Sequence, residues 1–239
     1  MKIGVIQPSN ARSALNLTEK ALEEGAELVL LPEKWTKSLD EVPLSEFQNL
    51  ARKYTAYIIP GAFEDGVSVV SPIIDDTGNL KGISKKVHLF EEEKTRLFPG
   101  NEGVMFTYRG IKFGISICYD VDFPEFIREM FLNGVEIVLV PSKVRSTGIQ
   151  IWKDYLRIRV LENRIGIVNA NAYNPPEFTG NSIVIVPEKD NNTGIVLPKI
   201  LGELGNEENY LVVNVDPLRF IQLRKNRLNE VVKFTIKQL

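Results

Sequence analysis

The chain holds a single cysteine, Cys118, and a single histidine, His88, in 239 residues. One thiol cannot close an internal disulfide, and one cysteine with one histidine cannot build an all-Cys/His zinc site. No metal and no cofactor is expected. Charge of one sign is also in short supply: the net charge is −2, so no basic field draws nucleic acid or an anionic membrane. No apolar run is long enough to cross a bilayer. The first ten residues, MKIGVIQPSN, meet Gln7 and Pro8 too early to form a signal-peptide core. There is no linker rich in Pro, Gly or Ser, no repeat of fixed period and no low-complexity tract. These absences lead us to expect a soluble, cytoplasmic, globular protein. Hydrophobic residues make up 44% of the chain, enough to bury a full core.

What is present is a regular alternation of patterns. KIGVIQ reads as a strand, and ALNLTEKALEEGA as a helix with Leu15, Ala21 and Leu22 on one face and Gly25 as its stop. ELVLLPE, almost uninterrupted in its apolar character, reads as a strand covered on both faces. Strand, helix and strand at this spacing make a β-α-β unit, and LSEFQNLARKYTA followed by YIIPGAFED repeats its second half. A series of short strands then follows, VSVVSPIID, GISKKVHLF, GVMFTY and IKFGISIC, divided by turn signals such as DDTGN and YRG. After Cys118 the helix–strand rhythm returns with PEFIREMFLNGV, EIVLVPS, IQIWKDYLRIRVLENR and IGIVNANAY, and NSIVIVP, TGIVLP and NYLVVNVD close the core. The reading is one mixed α/β domain over residues 1–239, with 217–239 a C-terminal tail available for assembly.

Three polar residues stand at the ends of apolar strands. A lone cysteine is ordinarily an inert core thiol. Cys118, however, ends IKFGISIC where α/β folds place ligands, shortly before the helix PEFIREMF, whose N-terminus would stabilise a thiolate. Glu33 ends ELVLLPE; it is either the first exposed residue of a loop or, half-buried at that edge, a group suited to proton transfer. Lys86 neighbours Lys85 in SKKVHLF, and because alternate residues of a strand face opposite ways, one of the two points inward.

LVLLPE, KKVHLF followed by LFPG, and GISICYDVDFPE, in that order, resemble the three signature segments of the nitrilase superfamily of carbon–nitrogen hydrolases. The resemblance continues through YLRIRVLEN and IVNANAY, and runs from Lys2 to about Asp216. It implies a four-layer α-β-β-α sandwich, with Cys118 as nucleophile, Glu33 as general base and Lys86 as the cation of an oxyanion site. The backbone N–H of Tyr119 is then a second oxyanion donor. Glu93 falls where many members carry a glutamate that positions the substrate, although Glu91 and Glu92 lie one register away. The implied reaction is hydrolysis of a small amide through a cysteine thioester. The alternatives are a nitrile hydrolase or acyl transferase on the same scaffold, or a non-enzymatic member. CYD after the strand favours amide work. Members commonly pair through helices, so a homodimer or larger homo-oligomer is implied.

The chain departs from the commonest family pattern at Ser84, at Asp122, and at Lys143, Val144 and Arg145 after EIVLVPS. Lys143 and Arg145 are candidates to hold a substrate carboxylate, with a solvated loop as the plainer reading. His88 reads as a hydrogen-bonded support for Lys86, and Phe123, Phe126 and Phe131 as core packing. The basic stretch RFIQLRKNRLNE reads as a solvated helix face or a dimer-contact tail. IQIWKDYLRIRVLENR carries more apolar residues than one buried stripe uses, and Trp152 and Tyr155 are the expected exposed surplus that a partner would cover.

Overall fold

A computed structural model describes residues 1–238 of the chain. Strands β1 (Lys2–Gln7), β2 (Leu28–Leu30), β3 (Tyr57–Ile59), β4 (Phe63–Glu64), β5 (Val69–Ile74) and β6 (Leu80–Lys85) belong to one sheet. β1, β2 and β3 run parallel, and β5 is antiparallel to β3, β4 and β6. A second sheet contains β7 (Val104–Tyr108), β8 (Ile111–Ile115), β9 (Ile137–Ser142) and β10 (Gly166–Asn171). A small hairpin, β11 (Tyr173–Asn174) with β12 (Phe178–Thr179), precedes β13 (Ile183–Lys189) and β14 (Val196–Glu203), which complete the second sheet. β15 (Asn209–Asn214) returns to lie antiparallel to β1, giving sheets of seven and six strands.

Side-chain alternation decides how these sheets stack. In β1 and β2, Ile3, Val5, Leu28 and Leu30 face Ile115, Leu139, Val168 and Val184 of the second sheet in one apolar layer. The opposite face of the first sheet, with Ile6, Val29 and Ile58, packs on Ala21, Phe47 and Ala51. Those three belong to α1 (Ala11–Glu23) and α2 (Leu44–Tyr54). The outer face of the second sheet, with Val138, Val140 and Ile167, packs on α4 (Pro124–Leu132) and α5 (Ile149–Asn163) through Ile127, Phe131, Leu156 and Val160. A single turn, α3 (Glu93–Arg96), lies between β6 and β7, and α6 (Ile221–Asn229) follows β15. Three buried interfaces separate four layers, the α-β-β-α sandwich that the sequence implied. Burying each such side chain contributes about 1.5–3 kcal/mol. Among the described residues, no helix is long and apolar enough to cross a membrane.

Local chemistry explains several boundaries. Asn10 caps α1 by accepting from the Ser13 N–H while the Ser13 hydroxyl answers the Asn10 N–H. α1 ends two residues before Gly25, which sits at φ +88°, a conformation that costs a glycine little. Gly4 lets α1 approach β1, since a Cβ there would stand 3.1 Å from the Ala21 Cβ.

Other expectations need correction. β2 stops at Leu30 and β8 at Ile115, so Glu33 and Cys118 lie beyond the strands rather than at their last positions. Pro32 has no N–H to continue a ladder, and Glu33 is tied instead by an isolated bridge to Ala62. On α5 the exposed surplus is not Trp152 or Tyr155. Trp152 is buried and its indole N–H donates to Asn169 Oδ1 at 3.2 Å, while Tyr155 is half-buried. Ile151 and Ile158, seven residues apart on one face, are exposed by 64% and 46%. The tail from 217 is packed at its start, where Arg224 donates to the carbonyls of Val135 and Phe131, and residue 239 lies outside the described residues.

Candidate active site

Loops after β2, β6, β8 and β9 meet over one edge of the two sheets and line a cavity of about 650 Å³. Glu33, Lys86 and Cys118 all line it, although 85 positions separate the first from the last. Lys86 lies one residue past β6, its N–H bonded to the Val69 carbonyl, and it points inward while Lys85 points to solvent. One of the two lysines turns inward, as the two-residue alternation required, and it is Lys86. Its ammonium is 2.9 Å from Glu33 Oε1 and 3.0 Å from Glu93 Oε2. Of the three consecutive glutamates, Glu93 alone turns inward, because it opens α3 and accepts the Phe90 N–H at 2.8 Å; Glu91 and Glu92 are exposed.

Cys118 opens a tight turn, Cys118–Asp122, with φ +45°. A non-glycine residue in this left-handed region is strained by about 1–2 kcal/mol. Asp120 and Arg159 supply the bonds that hold it. The Asp120 carboxylate accepts from the N–H groups of Ile117, Val87 and His88 and from the His88 ring. One side chain thereby clasps the cysteine turn to the loop that follows Lys86. His88 stacks on Phe123 with ring centroids 3.6 Å apart and bonds to Asp120 rather than to Lys86, the partner its sequence position suggested. From α5, Arg159 donates to the carbonyls of Val121 and Asp122 at 2.8 and 2.9 Å.

Electrostatics divides the roles. Burial pushes the Cys118 thiol up, Glu33 pushes it further, and Lys86 and the Lys143 N–H oppose them without prevailing. The resting group is therefore a thiol. This corrects the expectation of a thiolate stabilised by a helix N-terminus: α4 begins only at Pro124, and the dipole fades within a turn. Burial alone would lower the Lys86 pKa, but Glu33, Cys118 and Glu93 outweigh it and raise it, so the ammonium keeps its charge. Burial raises Glu93, and Lys86, Lys34 and the Phe90 N–H more than reverse the effect.

Two charged partners escaped the sequence reading. Lys34 bonds Glu93 at 2.5 Å and Glu64 at 2.8 Å, and Glu64 in turn binds the Arg96 guanidinium through both oxygens. Lys34 directly follows the candidate base, the one signal that could have drawn attention to it. Of the two rim cations, Lys143 is half-buried in the cavity wall, whereas Arg145 is exposed and paired with Glu177 at 3.0 Å.

A model of the carbon–nitrogen hydrolase family matches residues 6–222. The chain belongs to this family. It is 27% identical over 222 residues to a 2-oxoglutaramate amidase of Bacillus subtilis, covering 84% of this chain and 82% of that protein. A probable nitrilase of Schizosaccharomyces pombe is 34% identical over 188 residues, 74% of this chain and 66% of that one. Among solved structures, an amidase of the nitrilase superfamily from Nesterenkonia superposes with a TM-score of 0.75 at 25% identity, covering 96% and 95% of the two chains. A form of that amidase carries the acetamide moiety of fluoroacetamide added covalently at its active-site cysteine. Saccharomyces cerevisiae Nit3 shares the fold with a TM-score of 0.80 at 24% identity, over 95% and 93% of the chains. This carbon–nitrogen hydrolase thus has the mixed α/β architecture of the nitrilase superfamily.

Proposed function

We propose that the protein is an amidase that hydrolyses a small amide through a thioester on Cys118. The observation that carries the reading is that Glu33, Lys86 and Cys118 line one cavity, with the Lys86 ammonium 2.9 Å from Glu33.

Because the resting sulfur is protonated, attack needs a base at the moment of reaction. Glu33 takes the thiol proton as sulfur bonds to the amide carbon. Negative charge moves onto the carbonyl oxygen, where the Lys86 ammonium and the Tyr119 N–H stabilise it. One fixed donor of this kind is worth about 3–4 kcal/mol in other enzymes. Glu33 then hands its proton to the departing nitrogen, the carbon–nitrogen bond breaks, and ammonia or an amine leaves. Water, losing a proton to Glu33, attacks the thioester; the carbon–sulfur bond breaks, the acid departs and the thiol is restored. Glu93 holds Lys86 in line from its far side. The amidase names of the relatives support this reading.

Ammonia release from a panel of short aliphatic amides tests it. Turnover that disappears in Cys118→Ala is expected; turnover that persists in that variant assigns the chemistry to another group.

We further infer that two copies pair through α5, since Ile151 and Ile158 leave an apolar strip uncovered. Light scattering at micromolar concentration should give at least twice the chain mass, and a monomer would overturn the pairing.

A further inference from the structure

Lys34 follows the candidate base directly, yet its side chain lines the same cavity as Glu33. Neighbouring residues of an extended chain point opposite ways. Lys34 escapes that rule because its backbone sits at φ +49°, in the left-handed region that a lysine rarely adopts. Both residues are pinned through the backbone. The Glu33 N–H donates to the Ser142 carbonyl at 3.2 Å, and the Lys34 N–H to the Ala62 carbonyl at 2.8 Å. A strained backbone and a half-buried ammonium thus meet at one position, where glycine would make the turn at little cost.

The ammonium shares Glu93 with Lys86. Glu93 Oε1 takes Lys34 at 2.5 Å, while Oε2 takes Lys86 at 3.0 Å and the Phe90 N–H at 2.8 Å. Lys86 also stands 3.3 Å from Oε1, so without Lys34 it would be the one cation serving both oxygens. Among the described residues Glu93 has no other ion-pair partner. Glu64, the second carboxylate that Lys34 reaches, keeps the Arg96 guanidinium in any case.

On the amidase reading this sharing matters at one moment. Before reaction, Lys86 lies between two carboxylates, Glu33 and Glu93. When Glu33 takes the thiol proton its charge is gone, and negative charge grows on the substrate oxygen. Lys86 then faces two anions, the oxyanion and Glu93, and one ammonium cannot serve both fully. Lys34 is the second cation, so Glu93 stays paired while Lys86 turns to the oxyanion.

We propose that Lys34 is a positioning residue that acts through Glu93, keeping that carboxylate from drawing Lys86 away as the oxyanion forms. The proposal rests on the amidase reading for its reaction, while the coupling of Lys34 to Glu93 stands on the ion pairs themselves.

Steady-state rates with a neutral aliphatic amide test it. In Lys34→Met, kcat should fall by about tenfold or more while KM changes by less than about threefold, because the interaction weakens only in the transition state. Lys34→Gly suits the backbone but lacks the charge, and should lose as much. Adding Glu93→Gln to Lys34→Met removes the competing anion, strands no charge and should recover kcat by at least about threefold. Full kcat in Lys34→Gly would reduce Lys34 to a backbone role and overturn the proposal. A loss confined to KM, or a double variant no faster than Lys34→Met, would do the same.

A second measurement needs no turnover. Carboxyl carbon NMR of glutamate-labelled protein follows the Glu93 titration, with the signal assigned by its loss in Glu93→Gln. The charged groups around that carboxylate are Lys34, Lys86 and Arg96, with Glu92 beside it in the chain and Glu64 and Glu33 beyond the two lysines. Lys34→Met should move the titration to higher pH by about one unit, and an unmoved titration would remove the coupling. If no amide is turned over while the titration moves, the amidase reading fails and the coupling stands. If amides are hydrolysed and kcat ignores Lys34, the positioning role fails and the amidase reading stands.

Discussion

The floor and the rim of the cavity are both rich in charge, yet they are built on different principles. On the floor, Lys86 and Glu33 are exposed by 1% and 3% of their side chains, and Lys86 has two carboxylate partners. On the rim, Arg145 and Glu177 are exposed by 59% and 57% and meet in water. Ion pairs on the floor have low-dielectric surroundings and few alternatives, so removing one partner strands the others. Pairs on the rim are screened and replaceable. On the proposed amidase reading, the floor fixes the chemistry and the rim is free to change with the substrate.

The sharpest way to break this contrast is to remove the central charge. Lys86→Met should leave Glu33 and Glu93 buried without their shared cation, destabilising the fold by about 3–5 kcal/mol. It should also lower kcat by about 10²–10³ through loss of the oxyanion cation. Urea unfolding and steady-state rates would record both effects, and a loss below 1 kcal/mol on this floor, about that of an exposed pair, would erase the distinction.

Asp120 offers a smaller effect of the same kind. It is buried behind the cavity lining and ties the turn at Cys118 to the loop after Lys86. Asp120→Ala strands several donors and should cost about 1–3 kcal/mol of stability. Because the strained residue loses its restraint, kcat should fall further than KM rises.

Acid should cost more stability at the floor than at the rim. The Glu93 carboxyl is held below its ordinary pKa by Lys86, Lys34 and the Phe90 N–H against the opposing effect of burial. A depressed carboxylate stabilises the fold fully above its unfolded pKa, and that contribution is lost as pH falls through the folded value. Unfolding free energy should thus drop as pH falls below the ordinary carboxylate range, and Glu93→Gln should flatten that drop. An unchanged acid limb in the variant would place the sensitivity elsewhere. The smallest effect belongs to Arg145→Ala, which should change stability by less than about 1 kcal/mol.

Much of the floor could be read from local order in the sequence, and most of the rim could not. Apolar alternation and the cap at Asn10 mark β1, α1 and their packing face, because these depend on neighbours along the chain. That one of Lys85 and Lys86 turns inward follows from the period of a strand, but which of them does is decided by the fold. The roles of Glu33, Lys86 and Cys118 came from the ordered family segments and not from periodicity. What escaped depends on residues that only the fold brings together. Lys34 reaches Glu93 across 59 positions, and Asp120 reaches His88 across 32. The misjudged surface of α5 has the same origin. Trp152 reads as surplus until Asn169, from β10, offers its indole N–H a buried acceptor, and the exposed places then fall to Ile151 and Ile158. The thiol's protonation also depended on burial, which outweighs a helix end six residues away.

The most direct test of the account is intact mass spectrometry of the protein quenched in acid seconds after mixing with a hydrolysable amide. The account predicts a mass increment equal to the acyl group, located on Cys118, that is absent from Cys118→Ala and, because Glu33 must first take the thiol proton, is also lost in Glu33→Gln. Turnover with no adduct on Cys118 under any quench time, or an adduct on another residue, would contradict it.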